Sequence, residues 1–154
     1  MLNEINPKFT LRDALLLYSV AYCQRHNENA TLGRILLTTD AINRECPMAN
    51  MLEEGFSRLI VGGYIDYQGE IFTVTKSGLH LFNDVTKPRN PKMKALDQIR
   101  LLADTLNKSP IKHAEKKLTI TSDDYSKAMQ EMRVIFAEIS KKADEIANAR
   151  RAKE

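Results

Sequence analysis

The chain has 154 residues, of which 43% are hydrophobic and 28% charged, and its formal net charge is +3. This composition is typical of a globular protein and excludes collagen-like, disordered and disulfide-scaffold chains. The length fits one ordinary domain with a helical extension. The longest apolar stretch, residues 14–23, is too short to cross a bilayer, and the N-terminus lacks the pattern of a secretory signal. We therefore expect a cytoplasmic protein without membrane contact, in which Cys23 and Cys46 are reduced thiols.

Charge is divided unevenly along the chain at Val85. Residues 1–85 hold 7 basic and 10 acidic side chains, a net charge of −3, whereas residues 86–154 hold 16 and 10, a net charge of +6. A phosphate backbone is therefore attracted more by the C-terminal part. The sequence predicts two parts, an N-terminal module over residues 1–85 and a helical extension over residues 86–154.

Three helices are predicted at the start of the N-terminal module. Thr10 and Asp13 have the spacing of a capping box and begin a helix over residues 11–25, which is apolar on several sides and therefore central. Thr31 caps a second helix that ends near residue 43. A third helix spans about residues 48–61 and ends at two glycines.

A β-hairpin and a short helix complete the module. The β-favouring runs 64–67 and 71–74 are joined by Q-G-E, and Thr75 then caps a helix. We expect one contiguous core across all these elements, formed by Leu15, Tyr18, Leu36, Leu52, Phe56, Leu59 and Phe72.

The extension is predicted to contain a linker, two helices and a brief strand. Residues 86–91 include two prolines and form the linker, a helix begins at Asn90 and Pro91, and residues 118–120 are a candidate strand. The final helix begins near Ser122 and carries apolar residues at alternating spacings of four and three, the heptad pattern of a packing helix. This stripe is the candidate dimer interface, and its members are Tyr125, Met129, Met132, Phe136, Ile139, Ala143 and Ile146. It is too apolar to remain in water, so we expect a second copy of the chain or the N-terminal module to cover it.

Residues 51–81, MLEEGFSRLIVGGYIDYQGEIFTVTKSGLHL, resemble the second half of a winged helix-turn-helix domain. Bacterial transcription regulators of the MarR and PadR kind share this order of an amphipathic helix ending in GGYI, a short hairpin, and a strand F-T-V-T-K-S-G-L that enters a helix. The resemblance extends over residues 10–85 and leaves the C-terminal half without a counterpart. It implies a mainly α fold with a small β-hairpin wing, followed by a helical extension with a long amphipathic last helix. It also implies double-stranded DNA as a partner.

By this resemblance the third helix is the recognition helix, whose N-terminal residues reach base edges in the major groove. Asn50 then contacts adenine, Glu53 accepts from cytosine, and Ser57 lies on the same exposed side. The full set of candidate DNA contacts is Arg34, Arg44, Asn50, Glu53, Ser57, Arg58 and Lys76.

Two features depart from the DNA-binding pattern. The leading turn of the third helix offers no arginine to read guanine, and the wing tip, residues 66–70, carries no lysine or arginine. For Arg34, Arg44 and Arg58, surface ion pairs with Glu45, Glu53 or Glu54 are an equal alternative to phosphate contacts.

Catalysis is not predicted. His26, His80 and His113 lie in different elements without a supporting motif, and no nucleotide-binding or zinc-binding pattern occurs. We therefore expect no catalytic residue, no cofactor and no metal site.

Three hypotheses for the function remain open. The first is a DNA-binding transcription regulator that dimerises through its last helix. The second is a winged-helix module that binds another protein, favoured by the negative charge of residues 1–85 and by the acidic wing. In the third, the basic side chains Lys87, Arg89, Lys92 and Lys94 give nonspecific affinity for nucleic acid or a membrane surface.

Overall fold

The computed structural model describes residues 8–87 and 93–153. In these ranges the chain forms six α-helices and three short β-strands, in the order α1 (Leu11–Arg25), β1 (Ala30–Thr31), α2 (Leu32–Asn43), α3 (Ala49–Val61), β2 (Ile65–Gln68), β3 (Ile71–Val74), α4 (Lys76–Val85), α5 (Ala95–Leu106) and α6 (Ser122–Ala152). The fold is thus mainly α with a small sheet and a long last helix, which confirms the predicted fold class.

The three strands form one antiparallel sheet in the order β1-β3-β2. Ala30 pairs with Phe72 across β1 and β3, and Ile65 pairs with Val74 in the β2–β3 hairpin. In chain order, the helix pair α2–α3 is followed by this β2–β3 hairpin, which we call the wing. The strand β1, formed between α1 and α2, ties the wing to the start of α2.

Helix α1 lies at the centre of the core. Its capping box is present, because the Thr10 hydroxyl accepts from the Asp13 amide and the Asp13 carboxylate accepts from the Thr10 amide, at 3.1 and 3.0 Å. The rings of Phe56 on α3 and Phe72 on β3 stack with centroids 4.1 Å apart. The predicted core is confirmed, since all seven of its residues are buried in one cluster: Leu15, Tyr18, Leu36, Leu52, Phe56, Leu59 and Phe72.

Helix α5 attaches the extension to the back of the module. The Tyr18 hydroxyl donates to Gln98 Oε1 at 2.7 Å, and the side chain of Asn107 bonds both the amide and the carbonyl of Phe9. The described helix begins at Ala95. Its predicted start at Asn90 and Pro91, and most of the predicted linker, lie outside the described residues.

Residues 114–120, which we call the strap, lie against α3. Leu118 and Ile120 are buried, each 7% exposed. The prediction of a strand over residues 118–120 is wrong. The reason is that the backbone amides of Lys117 and Ile120 donate to side chains of α3 instead of to a neighbouring strand.

Helix α6 packs along α2 in the opposite sense. Near its start, the Tyr125 hydroxyl donates to the carbonyl of Pro47, which follows α2. Two turns later, Glu131 accepts from the hydroxyl of Thr31, the N-cap of α2, at 2.6 Å. A Cβ at Gly33 would lie 2.8 Å from the carbonyl oxygen of Ala128, so the two backbones approach as closely as they do because that residue is glycine.

Candidate nucleic-acid interface

Ser57 was predicted to face outward on α3, and this prediction is wrong. Its side chain is fully buried, and its Oγ accepts a hydrogen bond from the backbone amide of Lys117 at 2.9 Å. Ser57 stands one turn after Glu53 on the same side of α3. It is buried because the strap lies over that side of α3.

Glu53, one turn earlier, is held by the same strap. Its Oε1 accepts from the backbone amide of Ile120 at 2.6 Å, and its Oε2 pairs with Lys116 Nζ at 2.9 Å. Both carboxylate oxygens are therefore engaged within the chain. In this conformation Glu53 is not available to accept from a cytosine.

Arg58 was predicted as a candidate phosphate contact, and the structure places it in the interior instead. Arg58 is 5% exposed, and its guanidinium donates to Asp13 on α1, with Nε–Oδ2 and Nη2–Oδ1 distances of 2.6 and 3.0 Å. This bidentate geometry is the strong form of an arginine–carboxylate contact. Arg58 joins α3 to α1 and cannot reach a duplex.

The remaining candidates lie nearer the surface. Asn50, Arg44 and Lys76 are exposed. Arg34 is half-buried and pairs with Glu28 at 2.8 Å. Arg34 thus forms an ion pair near the surface, but with Glu28 instead of the predicted Glu45, Glu53 or Glu54. For Arg58 both expectations are wrong, because its ion pair with Asp13 is buried.

The wing is acidic at its tip. Asp66 and Glu70 are exposed there, and the ring of Tyr67 is 40% exposed. Burial raises the pKa of the Tyr67 phenol, and the negative charges of Glu70 and Asp124 raise it further. An approaching phosphate meets the same negative charges and is disfavoured.

A cavity of about 210 Å³ lies between the wing, the start of α2, the strap and the first turns of α6. Tyr67 and Leu118 contribute apolar surface to it. The charged side chains that line it are Glu70, Asp124, Glu131 and Lys127, so carboxylates outnumber the ammonium group. The cavity therefore continues the acidic surface of the wing.

The predicted dimer stripe is divided between a covered and an exposed half. Tyr125, Met129 and Met132 pack against the core cluster, and Cys46 Sγ lies 3.7 Å from Met129 Sδ. Beyond Met132, the side chains of Phe136, Ile139 and Ile146 are 61%, 53% and 55% exposed, and Ala143 is exposed as well. The module covers the first half of the stripe and leaves the second half in solvent.

In residues 8–87 and 93–153 no group of three or more His, Cys, Asp or Glu side chains could hold a metal ion. Across those ranges, no helix combines the length and apolar character needed to cross a membrane. Cys23 and Cys46 are free thiols, and burial raises the pKa of Cys23.

In comparisons with known proteins, no family model, no curated protein and no solved structure matches this chain.

Proposed function

We propose that this chain is a non-enzymatic winged-helix protein that acts through protein–protein contacts and does not read DNA with α3. The observation that carries the proposal is the strap. Ser57 and Glu53 lie on the side of α3 that a major groove would receive, and both are bonded to strap amides. A recognition helix works by presenting such polar groups to base edges, and here they are already paired.

Electrostatics support the same conclusion. Residues 1–85 carry a net charge of −3. On the surface beside α3, Glu54, Asp66 and Glu70 are exposed carboxylates. Duplex binding depends on cations placed against phosphates, and this surface offers the opposite sign.

The surface available for a protein partner is the exposed half of α6, residues 133–152. Phe136, Ile139 and Ile146 leave more than half of their side-chain area in solvent on one side of a continuous helix. A contiguous exposed apolar surface of this kind marks an interaction site. The function is therefore assigned to the extension, with the winged-helix module as its support.

DNA binding is the second candidate function, and one observation favours it. Asn50 is exposed in the first turn of α3, the end that contacts bases in helix-turn-helix proteins, and Arg44, the C-cap of α2, is exposed in the connection that precedes it. Under this alternative, the first turn of α3 contacts bases while the strap still covers the later turns.

Titration of the full chain with fluorescent duplexes at several salt concentrations separates the two candidates. The duplexes come from a randomised pool, so that enrichment reports sequence preference. Arg44→Ala tests the exposed connection between α2 and α3, and Arg100→Ala on α5 is the matched exposed arginine elsewhere on the surface.

We expect no sequence to be enriched and the two arginine variants to behave alike. Any residual binding then reflects the basic extension and weakens with salt for both variants. Enrichment of one sequence that is lost in Asn50→Ala would overturn the proposal and establish the DNA-binding alternative.

A further inference from the structure

We propose that the partner of the exposed half of α6 is the same segment of a second copy, paired in antiparallel orientation. This inference rests on the proposed function, because it names the partner for the surface assigned there. Four apolar positions form the contact: Phe136, Ile139, Ala143 and Ile146. They continue the stripe with which Tyr125, Met129 and Met132 pack in the same chain.

Side-chain size favours the antiparallel orientation. With two copies related by a two-fold axis near residue 141, Phe136 lies opposite Ile146, and Ile139 lies opposite Ala143 of the other copy. Each layer then combines a larger and a smaller side chain, as well-packed cores do. A parallel pair would instead place Ala143 opposite Ala143, which leaves a gap, and Phe136 opposite Phe136.

Charge favours the antiparallel orientation more strongly than side-chain size does. The next position of the same heptad series is Arg150, and Arg151 and Lys153 follow it. In a parallel pair the two basic ends would lie side by side, and the two Arg150 side chains would face each other. In an antiparallel pair these ends lie apart by the length of about 18 residues, roughly 27 Å along the helix.

The position of α2 gives a third reason for the antiparallel orientation. The stripe side of α6 is occupied by α2 up to about Glu131, which bonds Thr31 at the N-terminus of α2. A parallel partner helix would enter from that end and meet α2. An antiparallel partner instead brings its basic C-terminal turn to this point, where Glu131 and Glu70, which line the same cavity, supply carboxylates. Its negative helix terminus also approaches the positive N-terminus of α2.

Light scattering coupled to size exclusion tests the pairing at tens of micromolar protein. We expect twice the chain mass of 17.5 kDa for the wild type. The double variant Phe136→Lys with Ile139→Lys should run at the single chain mass, because charges at these positions would face each other in the seam. Both residues lie in the exposed half of α6, so the near-ultraviolet circular dichroism of the double variant should still show a folded module.

Val134→Lys is the matched control. Val134 is 48% exposed but lies on the opposite side of α6 from Phe136. This variant should keep the double mass. A monomeric wild type, a double variant that remains dimeric, or a monomeric Val134→Lys would each overturn the pairing.

Disulfide formation decides the orientation, in a Cys46→Ser background with Cys23 left buried. Oxidation of an equal mixture of Ile139→Cys and Ala143→Cys chains should give the mixed cross-link, because these positions share a layer in the antiparallel pair. Ala143→Cys alone should cross-link poorly, since its two thiols are offset by four residues, or about 6 Å along the helix, in addition to the helix separation. Efficient cross-linking of Ala143→Cys alone, without the mixed product, would establish a parallel pair and overturn the antiparallel one.

These outcomes are independent of the duplex titration. A monomeric chain that shows no sequence preference would remove the self-pairing and leave the proposed function in place. A dimeric chain that enriches one duplex sequence would remove the proposed function and leave the self-pairing in place.

Discussion

Asp13 Oδ2 accepts from both the backbone amide of Thr10 and the Nε of Arg58, so one carboxylate caps α1 and anchors α3. The pair is almost fully buried, with side-chain exposures of 0% and 6% for Asp13 and Arg58. A Cβ at Gly55 would lie 2.8 Å from Asp13 Oδ1, so the absence of a side chain there lets α3 lie against this carboxylate. The orientation of α3 on α1 therefore depends on a charged contact in the interior.

Removing one partner of this pair should be costly. Arg58→Ala leaves the Asp13 carboxylate buried with its main partner gone, and we expect a loss of about 3 to 5 kcal/mol in the free energy of unfolding. Urea denaturation monitored by circular dichroism measures this loss in the free energy of unfolding. Arg100→Ala, an exposed arginine on α5, should change the same quantity by less than about 0.5 kcal/mol. Equal effects of the two variants would contradict the buried pair.

The aromatic stack between α3 and the sheet should contribute about as much to stability as the pair of Asp13 and Arg58. Phe56→Ala removes a fully buried ring that stacks on Phe72, and we expect a loss of about 3 to 5 kcal/mol in unfolding free energy. Leu101→Ala, at a residue 40% exposed on α5, is the control and should cost much less. A Phe56→Ala midpoint equal to that of the wild type would mean that the ring is not buried in solution.

The two thiols should differ in reactivity. Cys23 is fully buried, and burial raises its pKa, so little thiolate is present at neutral pH. Cys46 is half-buried at the edge of the α6 contact. Iodoacetamide treatment of the native protein, followed by peptide mass spectrometry, should therefore find the first adduct on Cys46. Modification of Cys23 at an equal rate would show that the core opens easily.

Acid should loosen the first turn of α6. The backbone and side chain of Thr121 hydrogen-bond the Asp124 carboxylate and lower its pKa below the ordinary value of 3.8. The stabilising contribution of this cap is therefore present above that ordinary value and is lost as the pH falls through the lower pKa of the folded state. Carbon-detected NMR titration of Asp124 measures the midpoint, and Thr121→Ala should raise it. A midpoint that Thr121→Ala leaves unchanged would mean that the capping box does not form.

Local signals in the sequence predicted most of the fold. The spacing of Thr10 and Asp13, the helical apolar periods and the turn glycines depend on neighbours within a few residues, and they placed α1, α2, α3, the hairpin and α6. The strap was missed because its bonds join Lys117 to Ser57 and Ile120 to Glu53, at separations of 60 and 67 residues.

The errors in the candidate site also come from contacts between residues that are far apart in the sequence. Arg58 was assigned to the surface because an arginine on a helix is usually solvated, whereas its partner Asp13 lies 45 residues earlier and serves as a cap as well. The stripe on α6 repeats evenly through Met132 and Phe136. A regular repeat cannot reveal where the module stops covering it, because that point is set by where α2 begins.

Amide hydrogen exchange of the strap measures whether the chain covers its own α3 in solution. The amides of Lys117 and Ile120 should exchange slowly in the full chain, because they donate to Ser57 and Glu53. Ser57→Ala should accelerate exchange at Lys117, while Ser77→Ala, at an exposed serine on α4, should leave it unchanged. Exchange of both wild-type amides at the rate of an unstructured peptide would contradict the account, because α3 would then be open to a duplex.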